Sequence, residues 1–344
     1  MKSCKLVGLR AMEIIDVPVP SLRTDSDVLI RVERVGVCGS DVHYYSDGRI
    51  GSQIVEYPWT IGHEGAGVVA EVGSAVGKVK IGDRIAFDPA MPCGACEQCL
   101  IGRPHTCLNL KFLGCPQQVE GCLAEYLVLP ERSCLPIPEA MTMEEAAMVE
   151  PLSIAVYGAS LYSGLNGATV GIFGCGPIGL CLLQAVKSMG AGRVYVTDKI
   201  DARLEIARAC GADWTGNPDR QDIVQDMAKS AGVQLDVVFE CCGQQDAMDA
   251  TLPVLKPGGE LSIIGIPEPN RVSFDINLLR RKEIRIQNVR RQNDCMGLAL
   301  EMIADGRVRA KSMITHRFPF AKTGEAFDLV SNYRDGVVKA MIEF

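Results

Sequence analysis

Histidine is scarce in this chain: only four occur in 344 residues. Long apolar runs are missing too. No stretch approaches the 18 or so uninterrupted apolar residues of a membrane span. The opening Met1–Arg10 (MKSCKLVGLR) has no apolar core followed by a small-residue cleavage site, so no signal peptide, no membrane partner and a cytoplasmic location are expected. Positive charge is not in excess: 35 Lys and Arg stand against 42 Asp and Glu, for a net charge of −7. A nucleic-acid partner would normally require a basic face, so none is expected.

What is present points to a folded, two-lobed protein. An apolar fraction of 47% with 22% charged residues excludes wholesale disorder, and 344 residues exceed the usual size of one compact domain. Cysteine is abundant, at fifteen. The odd count excludes complete internal pairing, and a long chain without a signal does not suit a disulfide framework. Cys175, Cys181 and Cys210 stand singly in apolar context, where cysteine behaves as a small hydrophobe. The clustered cysteines point to metal.

The texture of the chain changes near residue 150. Before it, short β-branched runs (Val28–Val32, Gly67–Val72, Asp83–Phe87, Glu125–Leu129) alternate with Gly, Pro and Asp at roughly ten-residue spacing, the pattern of a barrel or sandwich. After it, strands alternate with helices. Thr169–Phe173, Arg193–Thr197, Leu235–Phe239, Leu261–Ile266 and Ile284–Val289 read as strands, with helices over Pro177–Met189 and Ala202–Ala209. This predicts an α/β parallel sheet wound on both faces. From about residue 290 the alternation stops, and a helix over Met296–Ile303 leads to a last strand, Lys339–Ile342.

After the first strand of the second lobe comes Gly174-Cys175-Gly176-Pro177-Ile178-Gly179, a GxGxxG in its required context between strand and helix. Gly174 permits the tight turn, Gly176 lets the backbone approach a pyrophosphate, and Gly179 lets helix and strand pack closely. Pro177 suits the first helical turn, whose free N–H groups face the phosphates. Asp198 follows the next strand, where a carboxylate accepts from the adenosine ribose hydroxyls and repels a 2′-phosphate. That favours NAD over NADP, although Lys199 and Arg203 nearby oppose the preference. A glycine turn with an ordinary capping Asp is the alternative, disfavoured by the register of strand, fingerprint and acid.

Cys93, Cys96, Cys99 and Cys107 form C-x2-C-x2-C-x7-C, which lets one loop wrap a tetrahedral ion. Four sulfur donors leave no open position, so structural zinc is expected. An iron–sulfur cluster is the rival, disfavoured by the seven-residue offset of the fourth cysteine. A second set is dispersed: Cys38 in GVCGSD, His63 and Glu64 in GHEG, and Glu150 in VEP. Each alone has a bland explanation as packing, turn or surface residue. Together they form a mixed sulfur, nitrogen and oxygen set suited to a zinc ion that keeps a position for water or substrate.

On GVCGSDVHYY (36–45), GHEGAGVV (62–69), the four-cysteine lobe, GCGPIG and VTD (196–198), the chain resembles the zinc-dependent medium-chain dehydrogenase/reductases over essentially its whole length. It is most similar to the sorbitol (L-iditol, polyol) dehydrogenase group, through CGSDVHYYSDGRIG and Glu150-Pro151-Leu152. The resemblance implies a GroES-like β-barrel catalytic domain (1–152 with 290–344, structural zinc lobe 90–110) around an inserted Rossmann NAD-binding domain (153–289). It implies that Cys38, His63 and Glu64 bind catalytic zinc, with Glu150 ligating directly or holding the zinc-bound water. Ser40 and His43 match a proton relay, and Tyr44, Phe112 and Arg290 match a polyol pocket. Arg291 stands where that group usually has Tyr, which leaves a phosphorylated polyol open. The implied activity is NAD-dependent oxidation of a secondary alcohol of a polyol to a ketose, by a homodimer or homotetramer, with hydride passing to nicotinamide in the cleft between domains. Threonine dehydrogenase-type oxidation of an amino alcohol is the alternative. A catalytically silent binding or structural protein is a third possibility, disfavoured because every catalytic ligand is present.

Overall fold

The computed structural model describes residues 1–232 and 234–344. In chain order, its principal elements begin with strand β1 (Asp27–Gly36), helix α1 (Gly39–Asp47), β2 (Glu64–Val72), β3 (Arg84–Phe87), β4 (Tyr126–Pro130) and β5 (Cys134–Pro136). An alternating segment follows: β6 (Thr169–Phe173), α2 (Pro177–Ser188), β7 (Arg193–Thr197), α3 (Asp201–Ala209), β8 (Trp214–Gly216), β9 (Leu235–Glu240), β10 (Leu255–Ile263) and β11 (Arg285–Asn288). The chain closes with α4 (Met296–Ala304), β12 (Ile314–Pro319) and β13 (Lys339–Glu343). Two compact units result, one of Met1–Glu150, Met296–Ala304 and Ile314–Phe344, the other of Pro151–Cys295 and Asp305–Met313.

In the first unit the sheet runs β5-β3-β2-β1-β13-β12, with β4 also paired to β1. Strand β1 is long enough to take two neighbours on one side: its first half pairs antiparallel with β4 and its last residues with β13. Val28, Ile30, Val32 and Val35 of β1 pack with Val69, Ile85, Phe87 and Ile342 in a closed apolar core. Burial of such side chains contributes about 1.5–3 kcal/mol each. The register matters for chemistry. Gly36, the last residue of β1, lies opposite Glu64, the first of β2, and opposite Met341 of β13.

The second unit is a parallel sheet in the order β8-β7-β6-β9-β10-β11. Strand order reverses between β6 and β9, and ligands of such sheets bind beyond the carboxyl ends of the strands at that point. Phe173, Tyr195, Val238 and Leu261 anchor the core.

Several elements differ from the sequence expectation. Helix α1 carries no strong apolar stripe in GSDVHYYSD; it is closed by Gly48 in the left-handed region (φ 68°). Strand β10 begins six residues earlier than expected and ends three earlier: Leu255 pairs with Leu235, the Pro257-Gly258-Gly259 segment then bulges with Gly258 at a φ of 75°, and regular pairing resumes at Glu260. β8 and β12 were not anticipated from the sequence, one being only three residues long.

Candidate metal centres and dinucleotide site

Cys38 stands at the N-cap of α1, directly after Val37, whose N–H donates to the Ala340 carbonyl at 2.9 Å. His63 and Glu64 enter at the start of β2, one residue after Gly62, which needs its positive φ (100°) to make the bend. These two segments bring the donor atoms of Cys38, His63 and Glu64 within 4.8 Å of one another. His63 and Glu64 are buried and Cys38 is half-buried, so an ion held there would be largely shielded from bulk water.

The surroundings fit a divalent ion. Asp41, fully buried on α1, sits 3.3 Å from Nδ1 of His63, and its other oxygen accepts the N–H of Gly62 at 3.2 Å. A carboxylate on one ring nitrogen fixes the imidazole and leaves the other for metal. Burial opposes charging of His63, but the Asp41 and Cys38 partners outweigh it and hold the imidazole well above its ordinary value. Glu150 is buried and outside the three-residue cluster; burial pushes its carboxyl up to about 7, with the charges of His63, Glu64 and Lys339 also acting on it. Lys339, on β13, is ion-paired with Glu64.

Of the remaining expected residues, Ser40, His43 and Tyr44 lie on α1 and Phe112 packs against His63. Ser40 donates its hydroxyl to the Cys38 sulfur at 3.3 Å. His43, one helical turn on and partly exposed, faces Asp47 at 3.3 Å. Phe112 packs its ring 5.3 Å from that of His63. Tyr44 is buried and donates to the Gln53 side chain at 3.2 Å, which in turn donates to Cys115 at 2.9 Å. Arg290 falls in the second unit, just past β11. Asp41, Gln53 and Lys339 were not singled out from the sequence. Asp41 alone had a signal available, its place inside the GVCGSD motif.

Cys93, Cys96, Cys99 and Cys107 form the second cluster. Sulfur–sulfur distances are 3.6 Å (Cys96–Cys99), 3.7 Å (Cys96–Cys107) and 3.4 Å (Cys93–Cys107). Zinc–sulfur bonds of about 2.3 Å in a tetrahedron place the sulfurs about 3.8 Å apart, so the cluster has the size of a zinc site. Backbone N–H groups point at the sulfurs, Cys96 N to Cys93 at 3.4 Å and Cys93 N to Cys107 at 3.3 Å. Those of Ala95 and Cys96 pull the Cys93 thiol down to about 6, toward the thiolate a metal requires.

In the second unit the fingerprint closes as expected of a phosphate-binding turn. Gly174 takes a φ of 95° and donates to Thr197 O at 2.9 Å. A Cβ at Gly179 would overlap the Gly174 carbonyl oxygen. Gly176 caps α2 without a side chain, Pro177 opens the helix, and Ile178 follows half-buried, leaving the first N–H groups to a ligand. Asp198 accepts from Cys175 N at 2.7 Å and from Ile200 N at 2.8 Å. Arg203 is buried, 3.9 Å from Asp198 and beside Gly176.

Two family models match the chain: the alcohol dehydrogenase GroES-like domain over residues 24–139 and the zinc-binding dehydrogenase domain over residues 177–305. Sorbitol dehydrogenase of Bacillus subtilis (strain 168) is 35% identical over 343 residues, 99% of this chain and 97% of that one. The chain belongs to the zinc-dependent medium-chain dehydrogenase/reductase family. Within it, a probable D-xylulose reductase A of Aspergillus fumigatus (strain CBS 144.89 / FGSC A1163 / CEA10) is 35% identical over 328 residues, 94% of this chain and 91% of the relative. Among solved structures, an Escherichia coli CFT073 alcohol dehydrogenase complexed with NADH superposes with a TM-score of 0.91 at 28% identity, covering 100% of this chain and 99% of the other. As in this family, the fold is a GroES-like domain with a Rossmann domain, and the protein is an enzyme.

Proposed function

We propose that the protein oxidises a secondary alcohol of a small polyol to a ketose, with zinc and NAD as cofactors. The observation that carries this reading is the convergence of Cys38, His63 and Glu64 within 4.8 Å in a chain that also holds a complete dinucleotide fingerprint. The relatives named sorbitol dehydrogenase and D-xylulose reductase support a polyol as substrate, and the neighbour bound to NADH supports a nicotinamide cofactor. Amino-alcohol oxidation and a silent role are not favoured beside these names and a full ligand set.

Cys38, His63 and Glu64 would hold the catalytic ion, with Glu150 as a further carboxylate. When bound, zinc acts as a Lewis acid that makes an alcohol hydroxyl easier to deprotonate. Asp41 keeps His63 oriented. Ser40, touching Cys38, and His43, partly exposed on the next turn, would pass the hydroxyl proton toward solvent. Tyr44 and Phe112 would line the polyol pocket. Gly174, Gly176 and the N-terminus of α2 would bind the pyrophosphate. Asp198, already fixed by two backbone N–H groups, would accept from the adenosine ribose and disfavour a 2′-phosphate. Lys199 faces Asp219 at 3.9 Å, which offsets its pull on such a phosphate. Cys93, Cys96, Cys99 and Cys107 would hold structural zinc. The catalytic domain (1–152 with 290–344) and the NAD-binding domain (153–289) would form a cytoplasmic homodimer or homotetramer. The thiol-rich metal sites suit a reducing compartment, and β11 ends its sheet with Ile286 exposed, an edge a second copy could cover.

The test is NADH production across sugar alcohols, phosphorylated polyols and L-threonine, with zinc content measured in parallel. Turnover of free polyols by protein carrying two zinc equivalents is expected. Turnover confined to L-threonine or to phosphorylated polyols would overturn the substrate assignment.

A further inference from the structure

Lys339 is a lysine with almost no access to water, 1% exposed, and its ammonium ends on a residue of the catalytic cluster. It pairs with Oε2 of Glu64 and donates to the Val37 carbonyl at 3.1 Å. Three strands build this niche. Gly36 of β1 lies opposite Glu64 of β2 and Met341 of β13, and a Cβ at Gly36 would come within 2.5 Å of Glu64 Oε2 and 3.3 Å of Lys339 Cδ. The ion pair is therefore seated flush against bare backbone, one residue from His63 and two from Cys38.

Stability is a weak reason for such a pair, because two apolar side chains of similar volume often serve a buried niche as well or better. The charge of the neighbouring site gives a stronger one. A divalent ion facing the Cys38 thiolate and the carboxylates of Glu64 and Glu150 would leave negative charge in excess, to which the buried Asp41 beside His63 adds, and Lys339 offsets one of these charges. Excess negative charge would weaken the pull of the ion on an alcohol oxygen. Holding Oε2 also leaves a single Glu64 oxygen for the ion, so the carboxylate cannot grip it with both and fill a position that substrate needs.

We propose that Lys339 is a positioning residue of the catalytic metal site: it occupies one oxygen of Glu64 and neutralises that carboxylate, giving up some affinity for the ion and keeping the ion reactive toward substrate. The proposal rests on reading Cys38, His63 and Glu64 as a zinc site.

The test is a mutant cycle on the full-length protein, read by competition for zinc with a chromophoric chelator and by the visible spectrum of the cobalt(II)-substituted protein. Glu64→Gln leaves the Lys339 charge opposing the ion, and zinc at this site should bind at least about tenfold more weakly. Adding Lys339→Met should restore affinity to within about threefold of wild type and return the cobalt bands toward theirs. Lys339→Met alone, where it folds, should bind zinc more tightly, shift the cobalt bands and lower kcat without changing the affinity for NAD. Equal zinc affinity and identical cobalt spectra for Glu64→Gln and for the double variant would overturn the proposal, and that comparison does not depend on Lys339→Met folding alone. Wild-type protein taking up only the zinc of the four-cysteine lobe would instead overturn the site reading itself.

Discussion

The buried carboxylate of Asp41 lies 3.3 Å from Nδ1 of His63 and at the same time accepts the N–H of Gly62, the residue before that histidine. One side chain thus fixes both the ring and the bend that delivers it. Removing it should loosen the metal. We expect Asp41→Ala to lower zinc affinity at the Cys38 site by about 10- to 100-fold, the usual cost of losing such a partner. Chelator competition on the purified variant measures this, and an affinity equal to wild type would show that His63 needs no orienting group.

Cys38→Ser replaces the sulfur donor with a weakly acidic hydroxyl. Turnover should be abolished and one of two zinc equivalents lost, while NAD binds as in wild type because the fingerprint belongs to the other unit. Metal analysis, NADH fluorescence and a rate assay give the three readouts. Unchanged turnover would remove Cys38 from the mechanism.

Asp198 does two jobs that a single substitution separates. Asp198→Ala should relax the preference for NAD over NADP, read as the ratio of kcat/KM values. It should also cost about 1–3 kcal/mol of stability, since the N–H groups of Cys175 and Ile200 lose their acceptor. Asp198→Asn keeps an acceptor oxygen and removes the charge that repels a 2′-phosphate; it should relax specificity with a smaller loss in Tm. Retention of the wild-type cofactor ratio in both variants would refute the role of that carboxylate.

Cys96→Ser tests the four-cysteine lobe. With Cys96 3.6–3.7 Å from two of its partners, the loss of one donor should release zinc from the lobe and lower Tm. Protein that remains folded should keep its catalytic-site zinc and most of its kcat. A stable variant that still holds both zinc ions would count against a structural site.

The parts of the molecule that were legible in the sequence are those where chemistry and spacing coincide locally. The β6–α2–β7 segment came out within a residue of its observed ends because an apolar run, a glycine turn and a second apolar run follow without interruption. The four-cysteine lobe is equally local. The start of strand β10 was missed because Pro257-Gly258-Gly259 does throw the backbone out of register, and the single Leu255–Leu235 pair before that bulge has no local signal. Lys339 was silent for a different reason. A lysine opening a terminal strand reads as a solvated charge, and only the pairing of β13 with β1 sets it beside Glu64, 275 positions earlier. Glu150 was grouped with Cys38, His63 and Glu64 as a mixed donor set, but its donor atoms stand outside the cluster that the other three residues form.

The placement of β13 has a consequence for biosynthesis. Cys38, His63, Glu64 and Glu150 all leave the ribosome well before β13, the strand that pairs with the end of β1 and brings the compensating ammonium. Until then the nascent first unit holds an exposed β1 edge and an acidic thiol-bearing hollow, while the intervening segment, continuous from Pro151 to Cys295, can already collapse around its own core. A premature stop just before residue 339 would therefore spare most of the dinucleotide-binding unit but leave the alcohol-oxidising half unfinished.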